Sequence, residues 1–337
     1  MRIKGKVLSV GVELNHALLE NLYEGLDIKK AHFGNTVHFY SPSFKYYEVE
    51  DFKVSSAPKF VDVSITGRGC ELMCDHCASK ILWHMIPATS PEELLRVGEE
   101  LKEKGIDGLL ISGGSNRDGV VELHPFLDTI RRLKEDMGLL VTCHVGLVDE
   151  GLANGLKEAK VDAVLIDVIG DNRTIAEVYK MSHKSVEDYK NSLRVLKECE
   201  HRIVPHVIIG LHYGRILGEK KAIDMIAEFE PDALVLVIIM PYYGKAKFQL
   251  LPPPKPEESA HVFLYARRRL PSKPIVLGCA RPAGEDRIKT DIYALYAGLN
   301  GITFPAEGIL THAKEMGFEP IVSQNCCSTV YMFNEVK

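Results

Sequence analysis

Long hydrophobic runs are missing from this sequence of 337 residues. The longest apolar stretch, ALVLVIIM at residues 233–240, has the length of a buried strand and is far shorter than the about 18 residues that a membrane-spanning helix needs. The opening residues MRIKGKVLSV carry charge but lack the apolar core and the cleavage site of a secretory signal. We therefore expect a cytoplasmic protein that has no membrane span.

A strong excess of charge is also missing, because 41 Lys and Arg residues face 46 Asp and Glu residues, for a net charge of -5. This balance argues against a nucleic-acid partner that is held by bulk positive charge. No low-complexity tract and no repeat of solenoid period occurs. With 46% hydrophobic residues, the composition is that of a globular protein with a large core.

The sequence does contain a regular alternation of short apolar stretches and amphipathic helical stretches. The stretches rich in β-branched residues predict eight strands, at residues 61–66, 108–114, 139–146, 162–170, 202–210, 232–241, 274–278 and 300–305. Ser90 and Ser185 precede two of the amphipathic stretches and suit helix N-caps. Because near-continuous apolar strands indicate a parallel sheet covered on both faces, we predict an α/β fold, a (β/α)8 TIM-type barrel, or such a barrel with one strand miscounted.

The pattern divides the chain into three parts. Residues 1–58 are predicted to be a small N-terminal extension with short strands at KVLSVGVE, NTVHFYSP and KYYEVEDF. Residues 59–316 form the predicted barrel. Residues 317–337 form a C-terminal tail, which we expect to fold over one mouth of the barrel.

Eight cysteines are spread unevenly along the chain, and disulfides are uncommon in a cytosolic protein. Cys70, Cys74 and Cys77, here called the first cysteine trio, form a CxxxCxxC pattern directly after the first predicted barrel strand. Active sites of barrels are built at that end of the strands. Three thiolates there predict an iron–sulfur cluster with one open iron, with a zinc site or packed free thiols as the alternatives.

This spacing, at this place in a barrel, resembles the radical S-adenosylmethionine (SAM) superfamily. The resemblance implies a 4Fe-4S cluster on the first cysteine trio, with the amino and carboxylate groups of SAM on the open iron. It also implies that one electron, from a donor such as ferredoxin, cleaves SAM to methionine and a 5′-deoxyadenosyl radical that removes hydrogen from carbon. The chain has His76 where that family often has an aromatic residue before the third cysteine.

The same resemblance implies six SAM contacts, at Gly113, Gly114, Ser115, Asp167, Ile209 and Gly210. The two glycines in ISGGS allow a close backbone approach to the amino group. Ser115 stands where the family commonly has Glu. Asp167, at the end of the fourth strand, is implied to accept hydrogen bonds from the ribose, while the alternative role of helix cap better suits Asp171.

Three further cysteines, Cys279, Cys326 and Cys327, form a second cysteine trio if the tail folds back over the barrel. Together with a Ser, an Arg or the substrate, they are predicted to hold a second 4Fe-4S cluster.

Resemblance to biotin synthase implies Cys143 and Arg281 as further ligands of that cluster, although the chain lacks cysteine at two biotin-synthase positions, on the second and fifth strands. The alternative for Cys143, and the prediction for Cys199, is a buried small hydrophobic side chain.

The barrel, residues 60–335, resembles the biotin-synthase-like branch. Within that branch, the missing biotin-synthase cysteines, the LGCARP segment and the CC tail resemble the archaeal-type two-protein lipoyl synthases. That resemblance implies sulfur insertion into an octanoyl or mercapto-octanoyl chain on a lipoyl-carrier protein, with a second homologous radical SAM subunit as a partner. It implies neither a nucleic-acid partner nor a membrane. The alternatives are a related radical SAM enzyme without sulfur transfer, of the hydrogenase-maturation or methylornithine-mutase type, and a non-catalytic iron–sulfur scaffold.

Overall fold

The computed structural model describes residues 11–42 and 59–334, and these residues form one parallel sheet surrounded by helices. The strands are β1 (Thr36–Tyr40), β2 (Phe60–Ser64), β3 (Ile86–Pro87), β4 (Gly108–Ser112), β5 (Leu140–Val145), β6 (Ala163–Asp167), β7 (Ile203–Ile209), β8 (Leu234–Ile238), β9 (Ile275–Leu277), β10 (Gly301–Thr303) and β11 (Glu319–Ser323). The helices are α1 (His16–Phe33), α2 (Pro91–Glu103), α3 (Leu127–Glu135), α4 (Glu150–Glu158), α5 (Asn172–Glu177), α6 (Val186–Glu198), α7 (Glu219–Glu228), α8 (Ala246–Gln249), α9 (Pro256–Arg269), α10 (Glu285–Tyr296) and α11 (Ile309–Glu315).

The strands follow the order β11-β1-β10-β9-β8-β7-β6-β5-β4-β2-β3, and every pairing between them is parallel. The predicted α/β barrel is confirmed, as a parallel sheet curled into a half-barrel. All eight predicted strands are present, as β2 and β4 to β10. The helices between them cover the outer face, which is why the strands are apolar on both sides.

The predicted helix caps are confirmed as well. Ser90 accepts the backbone N–H of Glu93 at the start of α2, and Ser185 forms a capping box with Asp188 at the start of α6. Within the described ranges, we find no helix with the length and apolar character needed to cross a membrane.

Both predicted appendages take part in the main sheet. The NTVHFYSP stretch forms β1, which lies between β10 and β11, and β11 belongs to the predicted tail. Residues 11–13 of KVLSVGVE form no strand, and the KYYEVEDF stretch lies outside the described residues. Segments of the predicted extension, barrel and tail therefore belong to one sheet, because β1 pairs with both β10 and β11.

The end of the tail packs against the barrel interior at the amino ends of the strands. After β11 the chain turns into a 3-10 helical segment, Cys327–Asn334. Val330 and Tyr331 are buried there against inward-facing side chains of β6 to β9, such as Leu165 and Val235. A smaller inner core therefore fills the barrel beside the main core between sheet and helices.

Candidate iron–sulfur and cofactor site

The first cysteine trio lies on the loop that follows β2. Cys74 and Cys77 are buried and Cys70 is half-buried. The carbonyls of Cys74 and Cys77 accept the backbone N–H groups of Ala78 and Lys80, each at 2.9 Å. These turns fold the loop so that all three thiols face one cavity.

Gly114 packs directly against this loop. A Cβ atom on Gly114 would lie 2.0 Å from the Gly69 carbonyl oxygen and 2.5 Å from the Cα of Cys70. The Gly114 N–H donates to the Thr66 hydroxyl at 2.7 Å. Only glycine therefore fits between the end of β4 and the cysteine loop.

The pKa values in the first cysteine trio favour a thiolate at Cys77, the form of cysteine that binds metals. A hydrogen bond from Cys74 and the adjacent His76 lower the pKa of Cys77 to about 4, while the same hydrogen bond and burial raise the pKa of Cys74. Thiolates are the form that binds iron. Three thiols at one end of a cavity, beside a backbone cradle that a Cβ would fill, fit a cubane cluster with one open iron.

The cavity has a volume of about 620 Å³ and lies at the carboxyl ends of the strands. Of the predicted SAM contacts, Gly113, Gly114, Ser115 and Asp167 line it. Ile209 and Gly210 do not. Ile209 is buried in the main core between sheet and helices. The preceding residue, Ile208, faces the cavity. The residue of β7 that faces the cavity is therefore one position before the predicted Ile209.

Asp167 lies beside two histidines that the sequence analysis did not place in the site together. Its Oδ1 is 3.4 Å from Nε2 of His144, and the rings of His144 and His206 are 5.1 Å apart. Burial alone would raise the pKa of Asp167, but the charges of His144 and His206 hold it below its ordinary value. An ionised carboxylate is thus available to accept hydrogen bonds from a bound ligand.

Asp75, between the second and third cysteines of the first trio, anchors the cysteine loop to the rest of the barrel. Its carboxylate is 2.8 Å from Nζ of Lys180 and 3.0 Å from Nζ of Lys245, and it accepts the hydroxyl of Tyr213 at 2.9 Å. Its backbone N–H donates to the Val178 carbonyl at 2.9 Å. Burial opposes ionisation, but these donors lower the pKa of Asp75 below its ordinary value.

We expect Asp75→Asn to lower the free energy of unfolding by about 1.5–3 kcal/mol at neutral pH, the usual contribution of a hydrogen bond to a charged group. Because the folded-state pKa is depressed, the contribution is present above the ordinary pKa of 3.8 and is lost as the pH falls through the lower folded value. Urea unfolding of both proteins from neutral pH to about pH 3 checks this. A stability difference that stays constant with pH would contradict it, and Asp107→Asn, at a carboxylate that is 65% exposed, is the control.

The second cysteine trio comes from two segments of the chain. Cys279 follows β9 and opens into the cavity, while Cys326 and Cys327 lie at the start of the inner segment. Burial and the neighbouring Cys326 raise the pKa of Cys279 to about 11. Hydrogen bonds from Cys327 and Ser328 lower the pKa of Cys326 to about 7. Cys326 and Cys327 therefore hydrogen-bond each other, and of the three thiols Cys279 is the one that lines the cavity.

Arg281 and Cys143 are not available as further ligands of the second trio. Arg281 is buried and its N–H groups bind both carboxylate oxygens of Asp291 and the carbonyls of Gly278, Thr303 and Phe304. All five donors are used, so the predicted ligand is a structural ion pair. Cys143 precedes the inward-facing His144 on β5 and points to the opposite face, where it is buried in the main core between sheet and helices. It is therefore a buried small hydrophobic side chain, the alternative given in the sequence analysis.

The loop after β8 closes one side of the cavity. Tyr243 lines the cavity and stacks on Tyr242, with ring centroids 4.1 Å apart. Lys245 is held by Asp75, and the Lys245 N–H donates to the Asp75 carbonyl at 2.9 Å. Asp75 therefore connects the cysteine loop to the loop after β8 that carries Lys245.

Comparison with known sequences supports the chemistry of this site. Residues 64–217 match the Radical SAM superfamily, and they include the first cysteine trio and Asp167. A biotin synthase of Pelobacter propionicus is 24% identical over 178 residues, which cover 52% of this chain and 53% of that protein. A biotin synthase of Sorangium cellulosum is 24% identical over 262 residues, which cover 74% of this chain and 71% of that protein. The match thus spans about half the length of the first of these relatives.

Comparison with solved structures supports the fold. Methylornithine synthase (PylB) superposes with a TM-score of 0.56 at 15% identity, covering 92% of this chain and 91% of that chain. HydG, the FeFe-hydrogenase maturase of Carboxydothermus hydrogenoformans, superposes with a TM-score of 0.63 at 13% identity, covering 91% of this chain and 73% of that chain. The match of residues 64–217 to that superfamily implies a 4Fe-4S cluster and SAM as cofactors. Residues 64–217 of this chain are thus similar to the Radical SAM superfamily, and the chain has weak similarity to biotin synthases.

Proposed function

We propose that this protein is a sulfur-insertion enzyme, a lipoyl synthase component that acts on an octanoyl or mercapto-octanoyl chain attached to a lipoyl-carrier protein. The observation that carries the proposal is the single cavity of about 620 Å³ that is lined both by the first cysteine trio and by Cys279 of the second. Sulfur insertion needs one substrate carbon to meet a radical and then a sulfide. A cavity with the first cysteine trio at one place and Cys279 of the second trio at another would allow this.

The walls of the cavity suit an aliphatic chain. Its apolar lining residues include Leu72, Ile81, Leu82, Met85, Val121, Leu147, Val237, Ile239 and Met240. Burial of each methylene against such walls contributes about 0.8 kcal/mol. A saturated acyl chain that has no polar group along its length is a good match to this surface.

The residues have separable roles in this proposal. When bound, the first cluster and SAM supply the radical that removes hydrogen from carbon, and the second cluster supplies the sulfur. The first trio and the Gly113–Gly114 turn hold cluster and SAM, and Asp167 binds the ribose. The apolar walls exclude water, which protects a carbon radical from side reactions. A carrier protein, a second homologous subunit and an electron donor such as ferredoxin are the proposed partners.

The test compares wild type with the variant Cys279→Ala/Cys326→Ala/Cys327→Ala after anaerobic reconstitution. We expect about eight irons per chain in wild type and about four in the variant, because one cubane cluster is lost. With reductant, partner subunit and octanoylated carrier, wild type should form a thiolated product, which mass spectrometry detects. The variant should still cleave SAM to 5′-deoxyadenosine but form no thiolated product.

Cys199→Ala is the matched control, because Cys199 lies at the end of α6 and hydrogen-bonds Asn154 away from the cavity. It should keep about eight irons. About four irons in wild type and triple variant alike would remove the sulfur source and favour a radical SAM enzyme without sulfur transfer. Absence of a thiolated product from both octanoyl and mercapto-octanoyl substrates would refute the lipoyl assignment.

A further inference from the structure

His144, Asp167 and His206 form a polar group on the inner face of the sheet, here called the β5–β7 triad. The three side chains come from neighbouring parallel strands, and Asp167 on β6 is paired in register with His206 on β7. One possible ligand atom of each side chain lies within 4.8 Å of those of the other two. None of the three residues is fully buried, and His144 and Asp167 line the cavity. The triad is therefore within reach of a ligand in the cavity.

The distance between His144 and Asp167 fits a shared metal ion better than a hydrogen bond. Nε2 of His144 is 3.4 Å from Oδ1 of Asp167. A hydrogen bond between an imidazole N–H and a carboxylate has a length of about 2.7–3.2 Å. With metal–ligand bonds of about 2.1 Å, two ligand atoms of a tetrahedral zinc ion lie about 3.4 Å apart. The two side chains thus have the spacing of neighbouring metal ligands.

His206 is held in the orientation of a metal ligand by its own strand. Its Nδ1 donates to the Val204 carbonyl at 3.1 Å, since a carbonyl oxygen can only accept. The lone pair of the neutral ring is then on Nε2. Metal-binding histidines usually donate their other N–H to a carbonyl or a carboxylate in this way. An ion pair between His144 and Asp167 alone would give no role to this third side chain.

We propose that His144, Asp167 and His206 bind a divalent transition-metal ion, such as Zn²⁺ or Fe²⁺, beside the cavity. Two imidazoles and one carboxylate are a ligand set that suits these ions. Three protein ligands leave at least one coordination position open, and an oxygen or sulfur atom of a molecule in the cavity is the class of ligand that it takes. Oδ2 of Asp167 stays available to the ribose. This inference does not depend on the second cluster or on a lipoyl substrate.

The experiment measures zinc binding to protein whose clusters have been reconstituted anaerobically, so that the cluster cysteines are occupied. After addition of Zn²⁺ and desalting, we expect about one zinc per chain in wild type and no change in iron content. His144→Gln and His206→Gln should each weaken zinc binding by more than about 100-fold, because loss of an outer-sphere partner alone costs about 10–100-fold. His183→Gln is the matched control and should bind zinc like wild type, because His183 is 51% exposed and does not line the cavity.

Co²⁺ in place of Zn²⁺ identifies the ligands. High-spin Co²⁺ gives an EPR signal, whereas oxidised 4Fe-4S clusters give none, so the clusters do not obscure the cobalt. Pulsed EPR should detect the nitrogens of two imidazoles on the cobalt in wild type, and of one imidazole in any cobalt that His144→Gln or His206→Gln still binds.

Each alternative outcome would overturn the proposal. Cluster-loaded wild type that takes up no zinc has no such site. Zinc that both variants retain is held elsewhere, for example by the free thiol of Cys199. Fewer than two imidazoles on the cobalt of wild type would exclude the triad even if both variants fail to fold. Iron content and SAM cleavage are separate measurements, so failure of this proposal is distinguishable from failure of the proposed function.

Discussion

A Gly114→Ala variant is expected to lose the first cluster and with it SAM cleavage. The added Cβ would lie 2.0 Å from the Gly69 carbonyl oxygen and 2.6 Å from the Cβ of Cys70. Both are atoms of the cysteine loop, so neither a rotamer change nor a small side-chain shift relieves the contact. The loop must move away from β4, and the three thiols then no longer match one cluster.

Iron content and 5′-deoxyadenosine formation measure this effect. The variant should hold about four irons fewer than wild type and lose about 1–3 kcal/mol of stability, as is usual for overpacking. Gly151→Ala is the control, because Gly151 is exposed in α4 and a Cβ there meets no atom closer than 3.4 Å. That control should be stabilised by up to about 1 kcal/mol. Wild-type iron content in Gly114→Ala would show that the loop tolerates displacement.

Arg281→Ala is expected to destabilise the fold by about 3–5 kcal/mol, the usual cost of breaking a buried ion pair. Its Nε and Nη2 atoms lie 2.7 and 3.0 Å from the Asp291 carboxylate, and both side chains are 0% exposed. Removing the guanidinium leaves the buried Asp291 charge without its partner and removes one donor each from the carbonyls of Thr303 and Phe304. The ends of β9 and β10, which position Cys279, should loosen with it.

Urea unfolding gives the stability difference. Arg268→Ala serves as the comparison, because its ion pair with Glu24 is about half exposed and should contribute at most about 1 kcal/mol. The double variant Arg281→Met/Asp291→Leu should recover part of the loss, since it leaves no unpaired charge. Equal effects of Arg281→Ala and Arg268→Ala would show that the buried pair adds little.

The sequence was sufficient for the strands and for the first cysteine trio. The eight barrel strands are apolar on both faces, which distinguishes them clearly from the helices between them. That same property hides which residues face inwards. In β7 the inward-facing polar residue is His206, and a period of two from it leads to Ile208, which lines the cavity, and not to Ile209. Phase is visible only where a polar residue breaks the pattern.

Such polar signals were present and were missed. Asp62 is the single acidic residue of β2, and His144 is a polar residue within β5. An inward-facing charge in an apolar strand indicates a functional position, since burying it costs free energy. The pairing of Arg281 with Asp291 has no comparable local signal, because it depends on how α10 packs. The insertion of β1 between β10 and β11 is equally non-local.

That insertion sets an order of events during synthesis. Residues 36–40 leave the ribosome early, but their partners at 301–303 and 319–323 follow only near the end of the described chain. Until then β1 has unpaired edges, a state that favours slow folding and aggregation. The first cysteine trio can assemble on the growing chain, whereas the second trio becomes complete only after β11. The chain must therefore be synthesised almost to the end of its described residues before β1 has a partner strand on either edge.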